Sequence, residues 1–195
     1  KNKIFNSFLY EIDNKIIVLY GDEILALNFE NGNVLWSEIY EDRPIIQAKG
    51  GQLINFFNEI YFILPNGRLG SVDLNLGTKN INNFVNLELQ NAINNTNDKL
   101  HLYKNYIVYL DEGEFLYVYN LLTEELILQN FKINSSISNY FFNNALIIKK
   151  ENYLEAINIL NGNSFWLIKS ELDKDSKILK INNVNNLLTI YMNNG

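Results

Sequence analysis

The sequence predicts an all-β chain, and within that class a β-propeller built from four-stranded antiparallel sheets. Apolar runs rich in Val, Ile, Tyr and Phe alternate with short turns rich in Asn and Gly. Almost no stretch keeps the periodicity of an amphipathic helix for more than two turns. The runs also recur in groups at a spacing close to the roughly 40 to 50 residues that are typical of propeller blades.

Four segments share the order strand, tight turn, strand, turn, strand. Their second turns align on Asn28, Asp73, Asn120 and Asn158, which lie 45, 47 and 38 residues apart. A fifth segment begins with LLTIYMNNG and reaches only the turn before its third strand. One more apolar run precedes each segment, so each repeat has four strands. We expect a single, partial propeller domain over residues 1–195, with repeats at about 7–40, 52–85, 99–133, 137–170 and, incomplete, 177–195.

About four blades and the start of a fifth do not form a closed ring. An open ring would leave the apolar faces of its first and last sheets in water. We therefore expect this chain to be part of a larger ring of six to eight blades, or to associate with another chain.

Composition excludes several classes of function. The chain has no cysteine and one histidine, His101, so it predicts no disulfide, no zinc site and no Ser-His-Asp triad. A net charge of −6, with Arg43 and Arg68 as its two arginines, argues against binding nucleic acid or anionic lipid. No apolar run reaches the roughly 20 residues that a membrane-spanning helix needs, so direct membrane insertion is not expected.

Acidic side chains cluster in the predicted turns, for example Asp111, Glu112 and Glu114 in the run DEGE. A calcium ion could bind such a turn, but charged turn residues usually stay solvated and discourage pairing between sheet edges. We expect no metal site here.

The run ILALNFENGNVLW resembles the repeat of β-propellers of the pyrroloquinoline-quinone type, whose consensus is roughly Leu-x-Ala-Leu-Asp-x-x-x-Gly-x-x-x-Trp. The run LEAINILNGNSFW of the fourth repeat has the same pattern. In this family the Asp or Asn begins a turn, the Gly takes a positive φ and the Trp docks between neighbouring blades. The matching residues are Asn28, Gly32 and Trp36; Asp73 and Gly77; Asn120; and Asn158, Gly162 and Trp166.

The second and third repeats depart from this pattern. Ile81 stands at the Trp position of the second repeat. In the third repeat, Glu124 and Leu128 stand where Gly and Trp are expected. The spacing is kept better than the residue types.

This resemblance implies two kinds of function. Quinone-dependent dehydrogenases of the family are eight-bladed rings that hold the quinone with calcium, an acidic base and usually two adjacent cysteines, which this chain lacks. The non-enzymatic branch is similar to the BamB-like lipoproteins of outer-membrane β-barrel assembly. That branch implies a periplasmic scaffold, attached to the outer membrane by an N-terminal lipid that is not part of this sequence. Its loops between blades bind the barrel-inserting subunit.

We therefore expect a non-catalytic protein-interaction scaffold that needs no cofactor. The polar segments 41–51 and 87–98 join successive repeats and are the candidate partner-binding loops, with Asp42 and Arg43 as the first residues to test. The alternative is a fragment of a quinone-dependent dehydrogenase whose catalytic residues lie outside this chain.

Overall fold

A computed structural model describes residues 8–20, 23–39, 53–63, 68–79, 85–86, 99–111, 113–133, 138–169, 176–184 and 187–193. These residues form strands and turns, with no helix among them. In particular, the described chain holds no helix with the length and hydropathy needed to cross a membrane. Two compact units divide the chain: Lys1–Asn105 with Tyr109–Gly113, and Tyr106–Val108 with Glu114–Gly195.

Two complete four-stranded sheets lie in the first unit. Their orders are β1-β2-β3-β4 and β5-β6-β7-β8, and strands adjacent in sequence pair antiparallel. The strands of the first sheet are Phe8–Ile12, Lys15–Tyr20, Glu23–Asn28 and Val34–Ile39, and those of the second are Ile54–Phe56, Glu59–Ile63, Arg68–Asp73 and Val85–Asn86.

The third sheet has the order β12-β11-β10-β9 and contains the stretch where the chain passes from the first unit to the second. The fourth sheet has the order β13-β14-β15-β16, and a two-stranded sheet of β17 and β18 follows it. The strands are Lys99–Tyr103, Tyr106–Leu110, Phe115–Asn120 and Glu125–Lys132; Ser138–Phe142, Ala145–Lys149, Tyr153–Asn158 and Ser164–Lys169; and Ile178–Val184 and Leu187–Met192.

A two-residue turn joins the first two strands of each four-stranded sheet, and its second residue is always Asn. The first residue has a positive φ, which suits the right-handed twist of a hairpin. The turns are Asp13-Asn14, Phe57-Asn58, Lys104-Asn105 and Asn143-Asn144, with φ of 47°, 53°, 55° and 51° at the first residue.

Buried apolar side chains of the first and second sheets pack against each other. This cluster consists of Ile17, Ile24, Ala26 and Trp36 from the first sheet and Ile60, Phe62, Val72 and Leu74 from the second. Tyr10 packs at its edge, where burial raises the pKa of the phenol and a hydrogen bond with the backbone of Leu53 lowers it by less. Removal of this apolar surface from water is the main stabilising contribution to the first unit.

A second cluster lies within the second unit, between the fourth sheet and the two-stranded sheet. It joins Ile147, Leu154 and Ala156 to Ile178 and Ile181. The Ile178 amide also donates a 2.9 Å hydrogen bond to the hydroxyl of Ser138. The first strands of the two sheets are therefore held side by side.

The structure confirms the prediction of an all-β chain with four-stranded antiparallel sheets. Short turns that contain Asn separate the first two strands of each four-stranded sheet, as the sequence pattern indicates. In the β17–β18 hairpin, Val184 pairs with Leu187.

Candidate functional site

The turn after β3, residues 28–33, is an Asx turn. The side-chain oxygen Oδ1 of Asn28 accepts hydrogen bonds from the amides of Glu30 at 2.9 Å and Asn31 at 3.2 Å. The Gly32 amide donates to the Asn28 carbonyl, and Gly32 has a φ of 71°. An Asn or Asp side chain can hold its own backbone in this way, and glycine adopts the positive φ without strain.

The second and fourth Asx turns, residues 73–78 and 158–163, have the same construction. Asp73 Oδ1 accepts from the amides of Asn75 and Leu76, and Asn158 Oδ1 accepts from the amide of Leu160. Each turn ends in a glycine with positive φ, Gly77 at 69° and Gly162 at 74°. Three of the four repeats thus share one turn geometry.

The third Asx turn, residues 120–125, reaches this geometry without glycine. Asn120 Oδ1 accepts from the amides of Leu122 at 2.9 Å and Thr123 at 3.4 Å. Glu124 occupies the glycine position with a φ of 57°. A left-handed conformation costs a non-glycine residue about 1–2 kcal/mol, so the surrounding sheet imposes it.

Trp36 on β4 joins the first sheet to the second Asx turn. Its indole nitrogen Nε1 donates a buried 3.0 Å hydrogen bond to the carbonyl of Leu74. Its ring lies against Gly77, where a Cβ atom would come within 2.5 Å of the ring carbon Cγ. Glycine is therefore required at this position for two reasons: it adopts the positive φ, and it leaves the space that the ring fills.

Polar contacts surround this junction in the first unit. Lys79 Nζ lies 3.2 Å from the carboxylate of Glu38 and also donates to the carbonyl of Ile39. Lys15 Nζ donates to Asn75 Oδ1 at 3.0 Å. Such half-exposed contacts contribute little energy individually, so the Trp36 ring dominates the junction.

Phe131 on β12 plays the corresponding part in the second unit. Its ring lies against Gly162, where a Cβ atom would come within 2.4 Å of the ring carbon Cε2. The sequence pattern places Leu128, rather than Phe131, at the position of Trp36, and the pairing of Leu128 with Val118 matches that of Trp36 with Ala26. The aromatic residue of the third repeat therefore comes from further along the strand.

A β-bulge explains this displacement. The pairing of β11 with β12 shifts between Leu116 and Val118, and Asn130 has a φ of 56°. The inserted residue reverses the alternation of side chains, so that Phe131 comes to the same face as Leu126 and Leu128. The repeat pattern does not identify Phe131 as the aromatic residue of the third repeat. The signal for it in the sequence is an aromatic side chain three positions after Leu128.

The remaining signature tryptophan, Trp166, lies on β16. Its half-buried side chain packs against the cluster that contains Ile178 and Ile181. Trp166 pairs with Ala156, the same pairing that Trp36 makes with Ala26.

Lys149, at the end of β14, is a charged side chain that sequence reasoning did not single out. It is fully buried, and Nζ donates to the carbonyls of Lys150 at 2.6 Å and Glu151 at 2.9 Å. Beside it, Lys150 and Glu155 form a 2.6 Å ion pair. The ammonium group thus closes the turn between β14 and β15 by satisfying its carbonyl oxygens.

The predicted partner-binding residues Asp42 and Arg43 lie outside the described residues, as do both candidate loops, 41–51 and 87–98. Of the DEGE run, Asp111 is buried at the end of β10, and Glu112 lies outside the described residues. Where the structure describes the chain, it brings together no three His, Asp or Glu side chains suited to a metal ion.

The outer strands of the first and fourth sheets carry exposed apolar side chains. β4 is the last strand of its sheet and exposes Val34, Leu35 and Ile39. On β16, also a last strand, Phe165, Leu167 and Ile168 are 49%, 57% and 51% exposed. A strand that is both apolar and at a sheet edge is an uncommon feature, since natural sheets usually protect their edges with charge.

Several solved structures resemble this chain in fold. BamB from Moraxella catarrhalis has a TM-score of 0.59 at 14% identity, covering 93% of this chain and 53% of its own. The computationally designed protein Ika8 has a TM-score of 0.59 at 14% identity, covering 93% of this chain and 54% of its own. KlHsv2 with loop 6CD replaced by a Gly-Ser linker has a TM-score of 0.57 at 15% identity, covering 99% and 71%.

These likenesses support the predicted propeller fold, because BamB is a β-propeller. The chain spans about half the length of the BamB and Ika8 structures. No protein-family model matches the sequence, so the quinone-type repeat stays a prediction. No curated protein matches it either.

Proposed function

We propose that this chain is a non-catalytic protein-interaction scaffold made of propeller blades. The observation that carries the proposal is the exposed apolar surface of β16 at the edge of the fourth sheet. Exposed apolar side chains on a strand edge favour a protein partner, because they offer both apolar surface to bury and a backbone edge to pair.

The partner that we propose is the barrel-inserting subunit of the outer-membrane assembly machinery. The likeness in fold to BamB supports this choice, as does the resemblance of the repeats to the quinone-type pattern. The acidic net charge supports a protein partner over nucleic acid. On this proposal the protein works in the periplasm, held at the outer membrane by an N-terminal lipid, and binds no cofactor.

The test is a pull-down of solubilised cell envelope on the purified full-length protein, with captured proteins identified by mass spectrometry. Leu167→Lys tests β16, and Asp42→Ala/Arg43→Ala tests the loop 41–51. Ile127→Lys is the matched control, since Ile127 is an exposed apolar residue on the outer strand β12. All three variants are first checked for an unchanged circular dichroism spectrum.

We expect the wild type and Ile127→Lys to recover the barrel-inserting subunit. Leu167→Lys should bind about tenfold more weakly, because an apolar contact would have to desolvate the new charge. Failure to recover that subunit, together with a quinone or calcium ion retained by the full-length protein, would contradict the proposal and favour a dehydrogenase fragment.

A further inference from the structure

The first and fourth Asx turns, residues 28–33 and 158–163, contain the same tripeptide, Asn-Gly-Asn, at residues 31–33 and 161–163. An Asn followed by Gly is well suited to an intramolecular reaction, because glycine lacks the Cβ that would keep its backbone nitrogen away from the Asn side chain. Neither tripeptide belongs to the binding surface proposed on β16, so this chemistry is independent of the proposed function. The chain thus presents one reactive sequence in two surroundings.

In both turns the side chain of the first Asn is held close to the backbone of the glycine. Asn31 Oδ1 accepts a 3.0 Å hydrogen bond from the amide of Asn33, and Asn161 Oδ1 accepts one of 3.0 Å from the amide of Asn163. The ring that this bond closes contains both the side-chain carbon Cγ of the Asn and the backbone nitrogen of the glycine. The amide donor also stabilises the negative charge that develops on Oδ1 when a nucleophile adds to Cγ.

One hydrogen bond restrains the glycine nitrogen in each turn. The amide of Gly32 donates to the carbonyl of Asn28 at 2.9 Å, and the amide of Gly162 donates to the carbonyl of Asn158 at 2.8 Å. The nitrogen can attack only when the turn opens far enough to break this bond. Because the bond is nearly the same in the two turns, it does not distinguish them.

The two turns differ in what covers the glycine. The ring of Phe131 lies against Gly162, which is partly buried. Gly32 is exposed, and among the residues that the structure describes nothing lies within 4 Å of the place where its Cβ would be. Opening of the turn at Gly162 must therefore displace a ring, whereas opening at Gly32 displaces none of those residues.

We propose that Asn31 is a site of spontaneous covalent modification and that Phe131 protects the equivalent Asn161. The Gly32 nitrogen bonds to Asn31 Cγ, and the side-chain nitrogen leaves with the Gly32 proton as ammonia, which closes a succinimide ring. Water then adds to either carbonyl of the ring. Breaking the bond from nitrogen to Cγ leaves Asp, and breaking the bond from nitrogen to the backbone carbonyl carbon leaves isoaspartate. No oxidant or reductant takes part.

Both products alter the first Asx turn. Asp adds a negative charge next to Glu30, in a chain whose net charge is already −6. Isoaspartate lengthens the backbone by one carbon inside the turn that joins β3 to β4. Modification of Asn31 therefore changes the hairpin whose second strand carries Trp36.

Peptide mapping of the full-length protein tests the proposal. The folded protein is kept in mildly alkaline buffer made with heavy-oxygen water, and digests are followed over time by chromatography and mass spectrometry. We expect Asn31 to convert about tenfold faster than Asn161, to a mixture of Asp and isoaspartate that carries the heavy oxygen. In urea the two should convert at similar rates, because the tripeptides are identical. Equal rates in the folded protein, a faster Asn161, or Asp as the only product would overturn the proposal.

A substitution tests the protection by Phe131. In Phe131→Ala we expect Asn161 to convert several times faster than in the wild type, because the ring no longer lies on Gly162. Ile127→Ala is the matched control on the same strand, since Ile127 is exposed, and it should leave both rates unchanged. All incubations are kept below the onset of thermal unfolding measured by circular dichroism. An unchanged rate at Asn161 in Phe131→Ala, or an equal acceleration in Ile127→Ala, would contradict the protection.

Discussion

In each of two pairs of sheets, an aromatic ring from one sheet covers a turn glycine of the next, but the aromatic residue differs. In the first unit, Trp36 sits at the position that the repeat pattern predicts, and it adds a hydrogen bond to its ring contact. In the second unit, Phe131 sits three residues beyond the pattern and reaches Gly162 only because a bulge turns it inward. In both contacts the glycine keeps its place in the turn, whereas the aromatic residue comes from two different places on the outer strand.

Loss of the Trp36 ring should destabilise the protein more than any other single change discussed below. We expect Trp36→Ala to lower the free energy of unfolding by about 3–5 kcal/mol, because it leaves a cavity and frees the Leu74 carbonyl. Phe131→Ala should lower it by only about 1–3 kcal/mol, since part of that ring is exposed. Urea unfolding followed by circular dichroism measures both; equal losses would contradict the difference between the two contacts.

The next largest difference in stability is expected between Gly77→Ala and Gly32→Ala, each made in residues 1–195. Both put a methyl group at a positive φ, at a cost of about 1–2 kcal/mol. Only Gly77→Ala also forces a neighbouring ring to move, which adds about 1–3 kcal/mol. The difference between their urea midpoints checks this, and two equal midpoints would mean that the Trp36 ring does not press on Gly77.

The bulge in β12 offers a smaller test. Asn130 has a positive φ, which a β-branched residue adopts poorly, so Asn130→Val should destabilise the protein by about 1–2 kcal/mol. Asn130→Gly keeps the conformation accessible and serves as the control. If thermal unfolding shows the two variants to be equally stable, the bulge does not position Phe131.

The last substitution should change stability least and should increase it. Glu124→Gly restores the glycine of the third Asx turn and should stabilise the protein by roughly 0.5–1 kcal/mol, since relief of the strained φ exceeds the added flexibility of the unfolded chain. Glu125→Gly is the neighbouring control and should destabilise, because Glu125 begins β12. A lower Tm for Glu124→Gly would contradict the strain.

The turns and strands were predictable because their signals are local. An Asn or Asp that binds its own backbone and a glycine four residues later specify an Asx turn wherever they occur, as at Asn28 and Gly32. Alternation of apolar runs with such turns then predicts hairpins. The four-stranded sheets follow from these two rules alone.

The features that were missed depend on neighbours in space. The strained φ of Glu124 and the inward turn of Phe131 arise because the sheets over-determine local conformation, which no local signal records. The sequence does not show which strands are exposed either: the runs ALII of β14 and FWLI of β16 are both entirely apolar, yet β14 is buried between strands and β16 lies at an edge. The proposed binding residues Asp42 and Arg43 stay a prediction.

A glycine turn and an aromatic residue of the preceding outer strand act as one energetic unit in this account of the fold. A double-mutant cycle between Trp36→Ala and Gly77→Ala measures this directly. The alanine at position 77 has no ring to displace once Trp36 is removed, so we predict a double variant more stable than the sum of the single effects by about 1–3 kcal/mol. Effects that add to within about 0.5 kcal/mol would contradict the claim.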